Sequence, residues 1–275
     1  MPGQLPARRE DFTMNAVVSG GGGTARPYRG VIVTGAASGI GRAAALAFAA
    51  QGDHVLAADL DASGVEETAR QIAAAGGVAL TAVGDLAEQR TVDFLVEQAV
   101  AEFGGIDVLV NNAGVMDRMS AAHETDDAEW ERVLRVDLTA PFLLTRAVLP
   151  PMLAAGGGSL VFTGSEAGLR GGAAGAAYTA AKHGVTGLVR NLAVMYRAQG
   201  IRANLVAPGP TATGIGVDAR PDAHGPAVVK GLIGAGMGRV GSADEQAAAI
   251  VWLASDAASF VNGAVLPVDD GWSAV

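Results

Sequence analysis

The chain has 275 residues, of which half are hydrophobic and 5% aromatic, and its formal net charge at pH 7 is −9. This length is enough for one large α/β domain with a well-buried core. The negative charge, with no run of lysine or arginine, argues against a nucleic-acid partner. Because cysteine is absent, disulfides, thiolate nucleophiles and cysteine-based metal sites are excluded.

Residues 1–28 are predicted to form a flexible N-terminal extension, because they contain three prolines and the glycine run Gly20 to Gly23. The pair Arg8-Arg9 suggests a twin-arginine signal, but acidic residues follow it. Val17-Val18 is also far shorter than the apolar region of about 7–15 residues that a signal contains. No apolar run approaches the roughly 20 residues of a membrane span. We therefore expect a cytoplasmic protein without a membrane partner.

From residue 29 onward, short apolar runs alternate with alanine-rich helical stretches, and we predict a single domain over residues 29–275. The predicted helices lie near residues 40–51, 63–75, 88–103, 127–154, 176–199 and 243–255. The predicted strands are Val31–Thr34, His54–Asp59, Ala79–Asp85, Val108–Asn111, Ser159–Thr163, Arg202–Ala207 and Ala264–Val268. Continuous apolar strands alternating with helices predict an α/β fold, a Rossmann-like doubly wound parallel sheet with helices on both faces.

The segment from Thr211 to Gly241 departs from this alternation. It holds eight glycines and two prolines and has little periodicity. It follows the strand that ends near Ala207, and ligands of open α/β sheets bind beyond the carboxyl ends of the strands. We therefore predict a mobile lid over residues 211–241.

A glycine-rich turn, Thr34-Gly35-Ala36-Ala37-Ser38-Gly39-Ile40-Gly41, joins the first predicted strand to the first predicted helix. Gly35 permits a tight turn, and Gly39 lets the backbone approach a pyrophosphate at the helix N-terminus. Gly41 allows the helix to pack close to the sheet. A glycine-rich turn between a strand and a helix predicts a dinucleotide site, although a plain turn would also explain the glycines.

An acidic residue at the end of the second strand indicates which dinucleotide is bound. Asp59 can accept hydrogen bonds from the adenosine ribose hydroxyls, and its carboxylate repels a 2′-phosphate. The neighbouring positions carry no cation, because Ser38 stands in the glycine loop and Leu60 follows Asp59. Asp61 is a second candidate, but a solvated loop position explains it better. The pattern predicts NAD rather than NADP.

The glycine spacing Gly-x-x-x-Gly-x-Gly occurs together with several further motifs in a fixed order. These motifs are Asp85-Leu86, Asn111-Asn112-Ala113-Gly114, Ser165, Tyr178-x-x-x-Lys182 and Pro208-Gly209. With them, residues 30–272 resemble the classical short-chain dehydrogenase/reductase family. Single motifs are weak signals, since a strand-end turn accounts for several of them, but their joint occurrence in order is far more specific.

The resemblance implies roles along a cofactor cleft. The Asp-Leu pair would flank the adenine, and the Asn-Ala-Gly segment would line the cleft and steady the central sheet. The Pro-Gly pair and two following threonines would receive the nicotinamide carboxamide. The full set of predicted cofactor-binding residues is Gly35, Ser38, Gly39, Ile40, Asp59, Leu60, Asp85, Leu86, Asn112, Ala113, Gly114, Tyr178, Lys182, Pro208, Gly209, Thr211 and Thr213.

A tyrosine and a lysine can supply the acid–base chemistry of hydride transfer. Reduction of a ketone needs a proton donor, and oxidation of an alcohol needs a base in the same place. Tyr178 and Lys182 are at i and i+4 on a predicted helix, so they share one face. A free tyrosine has a pKa of about 10; a nearby ammonium and the positive nicotinamide ring of NAD favour the phenolate and lower that pKa. A surface helix pair is the alternative interpretation.

Ser165 lies at the end of the predicted strand Ser159–Thr163, ahead of Tyr178 in the chain. Its hydroxyl can hydrogen-bond the substrate oxygen and polarise it, and the family resemblance makes it the substrate-orienting serine. It is not predicted to be a nucleophile, because no Gly-x-Ser-x-Gly elbow surrounds it. A turn serine is the alternative.

Asp137 departs from the family pattern. Family members commonly carry Asn there, which holds a bent helix and a water leading to the catalytic lysine. An ionised Asp accepts hydrogen bonds but donates none, so Asp137 either holds the water or pairs directly with Lys182. A direct pair would weaken the electrostatic help that Lys182 gives Tyr178. A cap on a helix irregularity is the alternative.

These residues predict an oxidoreductase that transfers a hydride between NAD(H) and a secondary alcohol or ketone, with Tyr178 as general acid/base. A non-catalytic dinucleotide-binding protein and a Rossmann-like methyltransferase are the alternatives. No metal site is predicted, because the four histidines lack metal-ligand spacing. The resemblance also implies a homo-oligomer, commonly a tetramer, built through the helices near residues 127–154 and 176–199 and the C-terminal segment.

Overall fold

The computed structural model describes residues 26–274, except for the side chains of residues 234–236. The predicted N-terminal extension therefore lies outside the described residues as far as residue 25. Its described end contacts the domain. Arg26 Nη2 lies 3.1 Å from Asp107 Oδ2, and the ring of Tyr28 stacks on that of His54 with centroids 3.5 Å apart.

One sheet of seven parallel strands forms the centre of the fold, in the order β3-β2-β1-β4-β5-β6-β7. Its strands are β1 (Gly30–Thr34), β2 (His54–Asp59), β3 (Val78–Val83), β4 (Val108–Asn111), β5 (Gly158–Thr163), β6 (Ile201–Pro208) and β7 (Val265–Val268). The strand order reverses between β1 and β4, and ligands bind at such a switch point, beyond the carboxyl ends of the strands. The predicted doubly wound sheet is confirmed.

Helices cover both faces of the sheet. They are α1 (Gly39–Ala50), α2 (Ala62–Ala74), α3 (Gln89–Phe103), α4 (Asp127–Leu134), α5 (Ala140–Ala155), α6 (Ala176–Tyr196), α7 (His224–Gly236) and α8 (Ala243–Ala254). Helices α1, α2 and α8 bury Phe48, Val65 and Ile250 on one face. Helices α3, α5 and α6 bury side chains such as Leu144 and Val189 on the other.

One π-helical turn, Arg135–Thr139, connects α4 to α5 without a break in the helix. Turns of this kind are rare and frequently occur at functional sites. The joined helix, Asp127–Ala155, contains an 18-residue window of mean hydropathy 1.4, so by length and composition alone it could cross a membrane. No span was predicted here from the sequence, because no uninterrupted apolar run is long enough. Since the helix packs against α3, α6 and β5, we interpret it as a core helix of the domain.

The segment predicted as an aperiodic lid contains a helix that the sequence did not predict, α7. Glu124 caps its start: the backbone N–H groups of His224 and Gly225 donate to the carboxylate at 2.7 and 2.9 Å. A cap from 100 residues earlier in the chain cannot be read from the local sequence. The two ends of the segment meet at an isolated β-bridge between Thr211 and Gly241. The residues between them therefore leave the sheet and return to it as one long loop that contains α7.

Candidate active site

A cavity of about 920 Å³ lies at the carboxyl ends of β1, β4, β5 and β6. All the residues predicted to bind the cofactor line it, and so does Ser165. Asp137 is not part of the lining; it lies behind Lys182, and no part of its side chain is exposed. Among residues 26–274, no cluster of three His, Asp or Glu side chains is placed to hold a metal ion.

The glycine loop has the shape that a dinucleotide pyrophosphate needs. Gly35 and Gly39 have φ of +66° and +52°, a left-handed conformation that favours glycine. A Cβ at Gly41 would lie 2.1 Å from the Gly35 carbonyl oxygen. Ser38 is the N-cap of α1 but makes no side-chain capping bond. The N-terminus of α1 therefore presents backbone N–H groups to an anion.

Asp59 braces this loop and lines the cavity at the end where the sequence predicts the adenosine. Its Oδ2 accepts from Ala37 N at 2.9 Å, and its Oδ1 accepts from Asp61 N at 3.0 Å. Asp61 instead caps α2, accepting from Gly64 N. Of the two acidic residues weighed from the sequence, Asp59 alone contributes to the cavity wall.

Asn112 connects three strands of the sheet beneath the cavity. Its Nδ2 donates to the Thr34 carbonyl oxygen on β1, and its Oδ1 accepts from the Thr163 hydroxyl on β5, both at 3.0 Å. The Thr34 hydroxyl in turn accepts from the backbone N–H groups of Asn112 and Ala113. These bonds fix the floor of the cavity at the point where the strand order reverses.

The remaining predicted cofactor residues lie around the rim. Asp85 forms an ion pair with Arg135 at 2.6 Å. Gly209 N donates to the Val268 carbonyl oxygen at 3.1 Å. Thr213 packs over the glycine loop, since a Cβ at Gly39 would meet Thr213 Cβ at 3.1 Å. The start of the predicted lid segment is therefore in contact with the glycine loop.

The catalytic candidates meet at the other end of the cavity. Tyr178 is 7% exposed, and the Ser165 side chain lies close enough to its phenol to lower the pKa, against the effect of burial. Lys182 Nζ lies 5.2 Å from the centroid of the Tyr178 ring and donates to the Thr163 carbonyl oxygen at 3.2 Å. A hydroxyl pair and an ammonium are thus assembled where a carbonyl oxygen could bind.

Asp137 forms a direct ion pair with Lys182, with Oδ2 3.3 Å from Nζ. Its Oδ1 accepts from Val115 N at 2.8 Å. Oδ2 has no aligned hydrogen bond with any described residue, so we interpret its contact with Lys182 as electrostatic. The π-helical turn places this carboxylate, since it brings Asp137 out of α-helical register and under the lysine.

Burial is the largest single influence on the pKa values of Tyr178 and Lys182. Burial raises the pKa of Tyr178 above its ordinary value, the Lys182 ammonium opposes the rise, and the Asp137 carboxylate adds to it. Lys182 acts in the direction expected from the sequence but does not outweigh desolvation. For Lys182 itself, burial would lower the pKa, but the charges of Tyr178 and Asp137 outweigh it and the pKa is raised.

Among the cavity residues without a signal in the sequence are Asp117, Glu166 and Trp272. Asp117 and Glu166 are each only 1% exposed, and a buried carboxylate in a wall is a functional candidate. Neither belongs to a motif with periodic spacing. Their position depends on how distant loops meet, which local sequence does not encode.

The comparisons with known proteins agree with this geometry. A family model described as enoyl-(acyl carrier protein) reductase matches residues 35–273. The chain is 43% identical over 259 residues to cis-4-hydroxycyclohexanecarboxylate dehydrogenase of Sinomonas cyclohexanicum, covering 92% of this chain and 100% of the relative. It is 41% identical over 246 residues to 3beta-hydroxysteroid dehydrogenase 2 of Eggerthella lenta, covering 88% and 94%.

Among solved structures, a crystal structure of a Beutenbergia cavernae protein with NADP bound at low occupancy is similar, with a TM-score of 0.80 and 40% identity. It covers 92% of this chain and 99% of that one. Matches of this extent, on a chain with the motifs and the sheet described above, assign the family. This chain belongs to the classical short-chain dehydrogenase/reductase family, whose oxidoreductases use a nicotinamide dinucleotide and act on alcohol and ketone groups.

Proposed function

We propose that this protein oxidises a cyclic secondary alcohol to its ketone with NAD, and catalyses the reverse reduction, with Tyr178 as the acid–base residue. One observation carries the proposal: a single cavity joins Asp59 at one end to Ser165, Tyr178 and Lys182 at the other. A dinucleotide that spans this cavity would bring its nicotinamide to the catalytic group.

The residues at the catalytic end have distinct tasks. Ser165 hydrogen-bonds the substrate oxygen and holds it beside Tyr178. During oxidation, Tyr178 accepts the proton of the substrate hydroxyl, and during reduction it returns that proton to the developing alkoxide. Lys182 favours the phenolate electrostatically. NAD, when bound, supplies the acceptor for the hydride.

The choice of a cyclic alcohol rests on the wall near Tyr178 and on the relatives. Apolar side chains contribute to this wall, namely Met116, Ala173, Ile233, Met237 and Trp272. Arg118 also lines the cavity, but it is paired with Asp126 at 3.1 Å. The names of the two curated relatives describe dehydrogenases of a hydroxycyclohexanecarboxylate and of a hydroxysteroid, both ring alcohols, and an apolar wall suits an alicyclic ring.

The choice of NAD rests on charge at the adenosine end. The Asp59 carboxylate disfavours a 2′-phosphate. The nearest arginine, Arg42, is engaged behind the loop, where it donates to Thr68 Oγ1 at 3.0 Å and to the carbonyl oxygens of Ala37 and Gly64. The NADP in the Beutenbergia cavernae structure belongs to that protein and makes cofactor preference the first property to measure here.

We further propose that the protein forms a homo-oligomer, and specifically the tetramer that the family resemblance implies. Large apolar side chains are exposed on α6 and on the loop before β7: Val194 by 61%, Met195 by 62% and Phe260 completely. Asn262 Nδ2 donates to the Ala193 carbonyl oxygen, which brings the two groups to one end of the molecule. An apolar patch of this kind suits a second copy of the chain. Light scattering at micromolar concentration should give a multiple of 27.5 kDa; a monomer would contradict it.

The experiment for the activity follows NADH absorbance with cyclohexanol, cis-4-hydroxycyclohexanecarboxylate, a 3β-hydroxysteroid and acyclic secondary alcohols. We expect NADH formation with at least one ring alcohol. Tyr178→Phe should lower turnover by a factor of about 100 to 10,000 and leave NADH binding largely intact. The matched control is Tyr196→Phe, at the end of α6 away from the cavity. NADH binding without turnover on any alcohol or ketone would support the non-catalytic alternative.

A further inference from the structure

Asp117 is a buried carboxylate at the start of the catalytic helix. It follows β4 in the chain and is 1% exposed. Its Oδ2 accepts from the backbone N–H of Tyr178 at 2.9 Å, and its Oδ1 accepts from Gly175 N at 3.1 Å and from Met119 N at 2.9 Å. The carboxylate thus bonds directly to the backbone of the proposed acid–base residue.

These bonds cap α6 from outside the helix. Gly175, the N-cap of α6, has no side chain to satisfy the first N–H groups, and helix termini need such partners. Ser120 supplies a further acceptor, since its carbonyl oxygen receives Ala176 N at 2.9 Å. The start of α6 therefore sits on the loop from Asp117 to Ser120, which itself lines the cavity through Asp117.

The fit between loop and helix is tight. A Cβ at Gly175 would lie 2.6 Å from Asp117 Oδ2 and 2.5 Å from Ser120 N, distances that a side chain does not adopt. The loop is held in turn by buried Glu129 on α4, whose carboxylate accepts from Arg118 N at 2.6 Å and from Ser120 Oγ at 3.0 Å. The position of Tyr178 is thereby connected to α4.

We infer that Asp117 is a positioning residue for the reaction, which fixes Tyr178 along the helix axis and adds its negative charge to the field at the phenol. The inference rests on the proposed role of Tyr178. The geometry carries it, because α6 receives no side-chain cap from Gly175 itself and Asp117 bonds directly to the residue that acts. The charge of Asp117 also contributes to the raised pKa of the Tyr178 phenol, after burial and Asp137.

Two variants separate the charge from the position. Asp117→Asn removes the charge and places an amide N–H group against one of the backbone donors, so kcat should fall by a factor of about 10 to 100. The limb of the pH–rate profile over which oxidation rises with pH should move to lower pH, since a negative charge near the phenol is lost. Gly175→Ala keeps the charge but forces the loop and the helix apart, so kcat should fall without movement of the limb.

The control is Asp61→Asn, because Asp61 also caps a helix, α2, through Gly64 N but neither lines the cavity nor contacts α6. This control should keep the wild-type kcat and the wild-type pH–rate limb of oxidation. Ultraviolet difference titration, with Tyr178→Phe as the reference, measures the pKa of the Tyr178 phenol without turnover. The effect of Asp117→Asn on that pKa can therefore be tested even if the proposed activity is wrong. Wild-type kcat and limb in folded Asp117→Asn would overturn the inference. If Asp117→Asn does not fold, wild-type kcat in Gly175→Ala would overturn it.

Discussion

At the scale of single residues, the contact of greatest consequence is the ion pair between Asp137 and Lys182. An Asn at this position could accept a hydrogen bond from the ammonium but could not form an ion pair with it, whereas the carboxylate lies 3.3 Å from Nζ. Its charge opposes formation of the phenolate, as the raised pKa of Tyr178 indicates, where burial is the largest cause and Asp137 adds to it. The chemistry of this protein should therefore depend on pH differently from that of relatives with Asn.

The first prediction concerns Asp137→Asn. Loss of the carboxylate leaves the Lys182 charge uncompensated, so the pKa of Tyr178 should fall and the limb of alcohol oxidation should move to lower pH. Substantial activity should remain. The measurement is kcat/KM for oxidation against pH, with exposed Asp127→Asn on α4 as the control. An unmoved limb, with folding and NADH binding intact, would mean that Asp137 has only a structural role.

The second prediction concerns Asp59. A 2′-phosphate beside this carboxylate costs on the order of 1–4 kcal/mol at effective dielectric constants near 20–80, so kcat/KM should favour NAD over NADP by about fivefold to a thousandfold. Asp59→Asn should reduce that preference. Asp61→Asn, which removes the neighbouring carboxylate that caps α2, should not. A wild-type preference for NADP would contradict the assignment.

At the scale of elements, one acidic side chain from outside the predicted lid segment caps α7, the helix described within residues 211–241. Glu124 receives the N–H groups of His224, Gly225 and Ala121. These bonds, led by the one from Gly225, lower the pKa of Glu124 to about 2. The cap is therefore charged throughout the working range of pH, and it complements the positive end of the helix dipole.

The third prediction concerns the motion of this element. Residues 213–238 should exchange amide hydrogens rapidly without ligand, because their glycines make few side-chain contacts, and exchange should slow in the ternary complex with NAD and substrate. Glu124→Gln should speed exchange at the start of α7 in the free protein. Glu131→Gln, on the exposed side of α4, is the control. Equal protection with and without ligands would count against a lid.

At the scale of the whole molecule, buried Glu166, in the turn after Ser165, faces the partly exposed carboxylate of Asp269 in the C-terminal segment. Glu166 faces Asp269, and Arg170 approaches Glu166 Oε2 at 3.3 Å. Burial, and then the hydrogen bond and charge of Asp269, raise the pKa of Glu166 to about 7. For Asp269, burial acts in the opposite sense, but hydrogen bonds from Ser273 and from Glu166 lower its pKa. Glu166 therefore takes up a proton near neutral pH, while Asp269 stays ionised.

The fourth prediction follows from linkage. The pKa of Glu166 is higher in the folded than in the unfolded chain, so the folded state binds the proton more tightly. This contribution to stability is complete below about pH 4.5 and is lost as the pH rises through 7, and its upper limit is about 3 kcal/mol at 1.36 kcal/mol per pKa unit. Glu166→Gln should flatten the decline of Tm between pH 5 and 8. The control is exposed Glu102→Gln, and an equal decline in both variants would contradict the assignment.

The sequence by itself determined the sheet and most of the cavity. Apolar runs that stay buried on both faces specify parallel strands, and the glycine loop specifies its own turn, since Gly35 and Gly39 adopt positive φ. The spacing of Tyr178 and Lys182 places them on one helix face whatever surrounds the helix. Such features depend on neighbours in the chain, so local patterns are sufficient to predict them.

Only the tertiary structure decided what meets across long separations in the chain. The sequence left open whether Asp137 holds a water or pairs with Lys182, and the structure decides for the direct pair at a π-helical turn. The start of α7 depends on a cap from Glu124, and the position of Tyr178 depends on Asp117, 61 residues earlier in the chain. Carboxylates such as these are placed by the packing of loops onto helices, and the pKa values of the buried ones depend on that burial, so the local sequence did not settle their contacts.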